Sequence, residues 1–118
     1  MDERILKWLY DIKLAMQEIE LYFEKVDKNF LEYQKNTMLK RAVERDLEII
    51  GEAVNRILKR DETFIDKITN AKAIIGLRNQ VIHSYDNISD ENIWSILINH
   101  LPKLMKDIDF LINKNQTN

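Results

Sequence analysis

The sequence predicts an all-α protein, built as an antiparallel four-helix bundle. The chain of 118 residues contains only two glycines and one proline, whereas a β-sandwich or barrel needs a turn about every 8–12 residues. Apolar residues make up 45% of the chain and recur with helical spacing in four separate segments. The length suits one hydrophobic core, so we expect a single helical domain over residues 1–118.

The first helix is predicted over about residues 2–26, because apolar side chains there recur in steps of four and three. A second stripe predicts a helix that begins between Asn29 and Asn36 and ends near Lys59. Gly51 interrupts this stripe and is interpreted as a point of close helix–helix approach. The acidic side chains of residues 44–48 fall outside the stripe, so we expect them on a solvated face. The two stripes are Ile5, Leu9, Ile12, Met16, Ile19, Phe23 and Val26, and Leu39, Val43, Leu47, Ile50, Val54 and Ile57.

Two further helices are expected in the second half of the chain. Residues 60–70 are interpreted as a connector with a short helical turn, followed by a third helix over about residues 71–84. Residues 84–92 form the clearest loop, and Ser89 is a suitable N-cap for the last helix, which reaches about Lys114. Pro102 lies inside that helix and predicts a kink, because its ring removes a helical hydrogen bond.

Composition excludes several classes of site. The chain has no cysteine, which excludes disulfides, thiol nucleophiles and zinc–thiolate centres. Its N-terminus is charged, unlike a signal peptide, and no apolar run approaches the ~20 residues of a membrane span. We therefore expect a cytoplasmic protein without a membrane association. The formal net charge of −2 disfavours coating of duplex nucleic acid by charge alone.

The residues best suited to chemistry lie in one stretch, residues 76–85. Asn79 and His83 are four apart in the sequence, so on a helix they share a face and the amide can orient the imidazole. Arg78 and Tyr85 are seven apart and nearly superimposed in projection. Arg78 and His83 differ by roughly 140° on an ideal helix. They would therefore converge through the long arginine side chain or across a symmetric dimer.

A histidine and an arginine can together cleave RNA without a metal ion or other cofactor. The imidazole can accept the proton of the ribose 2′-OH or protonate the leaving oxygen, while the guanidinium binds the phosphate oxygens. A structural interpretation stays open, in which His83 hydrogen-bonds a helix end and Arg78 pairs with a carboxylate. We expect His100 to be non-catalytic. The sequence contains neither a phosphate-binding glycine loop nor a nucleophile elbow for serine catalysis.

Residues 78–85, RNQVIHSY, resemble the R-x4-H-x-Y motif of the HepT-like toxins, a branch of the HEPN superfamily. The resemblance covers most of the chain. Residues 41–57, with their Gly-Glu-Ala step, are similar to the second helix of that family. Residues 77–104, with Ile93-Trp94 and Leu101-Pro102, resemble its C-terminal half.

This resemblance implies a metal-independent endoribonuclease whose motif residues line the cleft of a homodimer, which could assemble further. Arg78 would bind the scissile phosphate, His83 would be the general acid or base, and Asn79 would assist. The substrate would be RNA, with tRNA among the candidates.

The implied partner is a minimal nucleotidyltransferase antitoxin of the MntA type, in a type VII-like toxin–antitoxin pair. It would inactivate the enzyme by transferring AMP from ATP to Tyr85. Two alternatives stay open at this point. One is a non-catalytic helical subunit that docks the nucleotidyltransferase, and the other is a purely structural dimeric bundle.

Overall fold

The computed structural model describes residues 1–83 and 89–116, excluding the side chains of residues 77, 78, 80–83 and 116. Over these ranges the protein is all-α, and no strand is present. The helices are α1 (Glu3–Tyr22), α2 (Phe30–Lys35), α3 (Thr37–Arg60), α4 (Ala71–His83), α5 (Asp90–Ser95) and α6 (Leu101–Gln116). A 3₁₀ helix (Glu62–Asp66) follows α3, and a π-helical turn (Ile96–His100) joins α5 to α6.

Helix α1 is shorter than its apolar stripe predicts. It begins after Asp2, whose carboxylate accepts hydrogen bonds from the backbone N–H groups of Arg4 and Ile5, and it ends at Tyr22 rather than near residue 26. The backbone N–H of Phe23 closes the last turn, and its ring packs edge-on against Trp94 at a centroid distance of 6.1 Å. Phe23 therefore packs against Trp94, a residue distant in sequence, where the apolar stripe predicted a further helical turn.

The predicted second helix is divided in two by Asn36. This residue adopts extended backbone angles, φ −100° and ψ 94°, and its side chain accepts a hydrogen bond from the N–H of Leu39. Asn29 caps α2 in the same way through the N–H of Glu32. Both asparagines that bound the predicted start are thus helix caps, because their short side chains satisfy the first free N–H groups of a helix.

Helices α1 and α4 pack against α3, and α6 packs against α1. Arg60 at the end of α3 lies 2.9 Å from Asp2, while the Tyr22 hydroxyl reaches Asp46 in the first half of α3, so α1 and α3 run in opposite directions. Lys13 of α1 pairs with Asp109 of α6 at 3.0 Å. Buried aliphatic side chains from all the long helices form one core cluster.

The expectation of a solvated acidic face on residues 44–48 is wrong for two of its members. Glu44 is only 7% exposed and Asp46 only 1%. Helix α3 packs against both α1 and α4, so residues beyond the single predicted stripe are covered. Gly51 is buried as well, as its interpretation as a close-approach position requires.

The fourth predicted helix is α5, the π turn and α6 in succession. Ser89 caps α5, since its hydroxyl accepts a hydrogen bond from the N–H of Asn92 at 3.2 Å. The loss of regular α-helical hydrogen bonding falls one turn before Pro102, where the N–H of Leu101 bonds to the carbonyl of Ile96. None of the described helices is long and apolar enough to cross a membrane.

Candidate functional site

Helix α4 carries the first part of the motif, and its start is tied to the last helical segment. Asn70, immediately before α4, has a positive φ of 58°, a conformation that asparagine tolerates better than most residues. Its carbonyl accepts the N–H of Ile74 at 3.0 Å, and its side-chain amide lies 2.7 Å from Nδ1 of His100. The N–H of Thr69 donates to Asp107 at 2.7 Å.

The structure places the backbone of Arg78, Asn79 and His83 in the last two turns of α4, and His83 is its final residue. The side chain of Asn79 is exposed. The side chains of Arg78 and His83 lie outside the described residues, as does the whole of Tyr85. The convergence of these groups therefore stays a prediction, resting on helical geometry that the α4 backbone satisfies.

His100, the second histidine of the chain, lies at the end of the π turn and is half-buried. Its hydrogen bond to Asn70 joins it to the N-terminal end of α4. His83 lies at the opposite end of α4, a separation of about 18 Å at 1.5 Å per residue. This placement favours a structural role for His100.

A polar cluster lies around the start of α5 and the first part of α3. Asp90, seven positions after His83, pairs with Lys40 of α3 at 3.3 Å, and both side chains are about four-fifths buried, with exposures of 21% and 19%. The next residue of α3 is Arg41, whose guanidinium donates to both oxygens of Glu44 at 2.9 and 2.7 Å. Sequence reasoning missed this cluster, because it treated residues 44–48 as solvated.

Tyr33 lies within this cluster and is fully buried. Its ring stacks on Trp94 at 5.4 Å, and its hydroxyl has no hydrogen-bond partner among the described residues. Burial raises the pKa of the hydroxyl, and the nearby carboxylates of Glu44 and Asp90 raise that pKa further. Phe23 and Phe30 contact the same indole edge-on, so these two residues and Tyr33 serve as packing groups around Trp94.

A second buried polar group lies between α1 and α3. Tyr22 donates a 2.7 Å hydrogen bond to Asp46 and lies 3.5 Å from a carboxylate oxygen of Glu18. Burial raises the pKa of Asp46 to about 6, and the hydrogen bond and charge of Glu18 add to that rise. Asp46 is spaced four residues before Ile50, in phase with the buried side of α3, and that phase is the signal by which the sequence could have revealed its burial.

The outward side of α4 carries small residues. Ala73 and Gly76 are exposed, and a Cβ atom added at Gly76 would meet no heavy atom within 4 Å. Packing within the chain therefore gives no reason for a glycine at this helical position, where it is less favourable than alanine by about 1 kcal/mol. Within the described ranges, no group of three or more histidine or acidic side chains is placed to hold a metal ion.

Comparison with known proteins supplies the remaining evidence on function. The family described as "Ribonuclease HepT-like" matches residues 12–111. Two relatives from Methanocaldococcus jannaschii bear the name "Putative RNase". One is 38% identical over 107 residues, covering 89% of this chain and 84% of the relative. The other is 36% identical over 114 residues, covering 94% and 100%.

A third relative, from Caldanaerobacter subterraneus, bears the same name and is 34% identical over 100 residues, covering 84% of this chain and 88% of its own. A search of solved structures found no match.

Proposed function

Because the chain belongs to the HepT-like ribonuclease family, we propose that it is a metal-independent endoribonuclease acting through Arg78 and His83. The observation that carries this proposal is the position of the motif within the match. Residues 78–85 fall inside the matched range 12–111, and Arg78 and His83 occupy the last turns of one helix.

The proposed chemistry follows from the properties of the two side chains. His83 removes the proton from a ribose 2′-OH, or protonates the leaving 5′ oxygen, because an imidazole titrates near neutral pH. Arg78 stabilises the charge that develops on the phosphate oxygens through its paired donors. Asn79, four residues before His83, orients the imidazole. These groups supply acid–base and electrostatic catalysis without requiring a metal ion.

We propose that the site is completed in a homodimer. Arg78 and His83 differ by roughly 140° around an ideal helix, so two copies of α4 facing each other would bring an arginine of one near a histidine of the other. On an ideal helix Gly76 lies within about 20° of His83, so this exposed glycine supports close approach of a partner helix on the His83 side of α4, because small residues let two helices approach closely. We also propose that the protein is located in the cytoplasm.

The proposed regulator is a minimal nucleotidyltransferase antitoxin that transfers AMP from ATP to the Tyr85 hydroxyl and releases pyrophosphate. The added phosphate would place negative charge two residues from His83, where it competes with RNA for Arg78. Incubation of the purified chain with such an enzyme and ATP should add the mass of AMP to Tyr85, as read by peptide mass spectrometry. Tyr85→Phe should remain unmodified.

The experiment that tests the catalytic proposal compares RNA cleavage by four proteins, each verified as unmodified at Tyr85. Wild type should cleave, whereas Arg78→Ala and His83→Ala should lose about 100-fold or more of the rate. His100→Ala is the matched control, because His100 bonds to Asn70 at the opposite end of α4. It should retain cleavage close to wild type, with circular dichroism confirming that all four proteins are folded.

Undiminished cleavage by His83→Ala would contradict the proposed mechanism. If the unmodified wild type cleaves no RNA across a panel that includes tRNA, the alternative of a non-catalytic subunit docking the nucleotidyltransferase takes its place. The slightly acidic net charge of −2 is the observation that favours this alternative, since RNA-binding surfaces are usually basic.

A further inference from the structure

A cleft that the proposed ribonuclease function does not use lies between the C-terminal half of α1 and the π turn with α6. It encloses about 290 Å³, close to the lower limit of the volumes typical of ligand pockets. Its walls are mostly apolar, with side chains from Met16, Ile19, Leu97, Leu101, Pro102 and Met105. Two of these are methionines, whose flexible thioether side chains adapt to the shape of a bound group.

The rim of this cleft carries charged groups that the rest of the protein does not neutralise. Lys28 and Lys106 line the opening, and neither has a carboxylate within ion-pair distance in the described part of the chain, whereas Lys13 and Lys40 are both paired. Lys28 instead lies 5.6 Å from the ring of Phe23. Glu20 is the single acidic group on the rim, so the opening has a net positive charge.

The helical backbone departs from regular geometry at the same place. Leu97 belongs to the π turn, and Leu101 follows directly after it. The N–H of Leu101 bonds to the carbonyl of Ile96, and Pro102 has no N–H to offer the next carbonyl along the turn. π turns of this kind occur frequently at functional sites, because they shift side chains out of the regular helical register.

We propose that this cleft binds a small amphiphile, made of one compact aliphatic or aromatic body and a single carboxylate. The apolar walls would hold the body, and Lys28 and Lys106 would pair with the carboxylate at the opening. The volume favours a molecule of roughly eight carbon atoms over a long lipid chain. The cationic rim selects an anionic head group over a cationic one.

The methionine methyl groups provide a direct test, with octanoate as the probe. The chain has four methionines: Met16 and Met105 line the cleft, Met1 lines a different cavity, and Met38 is 85% exposed. In ¹³C-methyl NMR, octanoate should shift the signals of Met16 and Met105 saturably while those of Met1 and Met38 stay unchanged. Octylammonium at the same concentrations should produce no saturable shift.

Variants distinguish the contribution of the apolar walls to binding from that of the charged rim. Lys28→Glu and Lys106→Glu should each weaken octanoate binding about 5-fold or more, whereas Lys103→Glu, which changes an exposed lysine outside the cleft, should bind as wild type. Met105→Trp should fill the cleft and abolish the shift at Met16. Equal shifts at all four methionines, equal binding of octylammonium, or unchanged affinity in both rim variants would overturn the proposal.

Discussion

The Tyr22 hydroxyl donates a 2.7 Å hydrogen bond to Oδ2 of Asp46 across the interface of α1 and α3. Asp46 is only 1% exposed, and no ion pair to it is present among the described side chains. Tyr22 is thus the donor that makes this buried carboxylate tolerable. Burial without an ion-pair partner disfavours the ionised form of a carboxylate. The stability of the α1–α3 interface should therefore depend on pH.

Asp46 should make the protein less stable as the pH rises from about 4 to about 6. Burial raises the folded-state pKa of Asp46 to about 6, above its value in the unfolded chain. Over that interval the folded state therefore holds a proton that the unfolded state has lost, and the free energy of unfolding decreases with pH. The Asp46 contribution should be about 1–3 kcal/mol, fully lost above the folded pKa.

Urea unfolding of wild type and Asp46→Asn across this pH range checks the prediction. The asparagine variant keeps an acceptor for Tyr22 but cannot ionise, so its stability relative to wild type should increase with pH. A constant difference between the two proteins at every pH would contradict the assigned role of Asp46.

Removing the hydroxyl group of the buried Tyr33 and that of the partly buried Tyr22 should affect stability differently. The hydroxyl of Tyr33 is buried with no hydrogen-bond partner in the described part of the protein, which carries a desolvation penalty. Tyr33→Phe should therefore be neutral or stabilising by up to about 1–2 kcal/mol. Tyr22→Phe removes the donor to Asp46 and should destabilise by about 1–3 kcal/mol.

Denaturant unfolding at neutral pH measures both changes under identical conditions. Because both variants lose the same atom, differences in the unfolded state largely cancel. If Tyr33→Phe lost as much unfolding free energy as Tyr22→Phe, the Tyr33 hydroxyl would have a hydrogen-bond partner in the folded protein.

Substitutions at Gly76 distinguish helix stability from association. Gly76→Ala should stabilise the folded chain by up to about 1 kcal/mol, because the added methyl group meets no atom within 4 Å. Gly76→Leu should leave the fold intact but weaken the proposed dimer, since a large side chain keeps two copies of α4 apart. Sedimentation over a range of concentrations measures the association, and Lys103→Leu, at an exposed residue of a different helix, α6, is the control. An unchanged dimer in Gly76→Leu would exclude this side of α4 as the interface.

Ser89→Ala should destabilise the protein by about 0.5–2 kcal/mol. The Ser89 hydroxyl accepts the N–H of Asn92 and caps α5, and alanine leaves that N–H without a partner. Ser95→Ala is the matched control, because the exposed Ser95 hydroxyl accepts a hydrogen bond from the Asn99 side chain and makes no capping hydrogen bond within the described residues. In thermal unfolding, the midpoint temperature of Ser89→Ala should be lower than that of wild type. The stability of Ser95→Ala should stay within about 0.5 kcal/mol of wild type. Equal effects in the two variants would show that the cap contributes nothing specific.

Much of the fold was predictable because it depends on local patterns. The apolar stripes of α1, α3 and α6 correspond to buried core residues, since helical periodicity repeats over many residues and tolerates single exceptions. Ser89 was identifiable as a cap because capping needs only a short polar side chain next to a helix start. The motif in α4 was recognisable for a similar reason, since it lies within one stretch of chain.

Helix ends and polar burial were not predictable to the same degree. The stripe of α1 continues to Val26, yet the helix stops at Tyr22 because Phe23 packs on Trp94, a residue far away in sequence. The apolar stripe of the second predicted helix begins only at Leu39, so it did not reveal that Phe30–Lys35 forms a separate short helix, α2, before Asn36.

The sequence by itself determined the all-α class, the order of the long helices and the family to which the chain belongs, because these depend on spacing along the chain. Only the tertiary structure decided that Glu44 and Asp46 are buried, that Tyr33 stacks on Trp94, and that the π turn faces an apolar cleft. Each of these results depends on which helix packs against which face. The residues of a polar helix face do not show by themselves whether a neighbouring helix covers it.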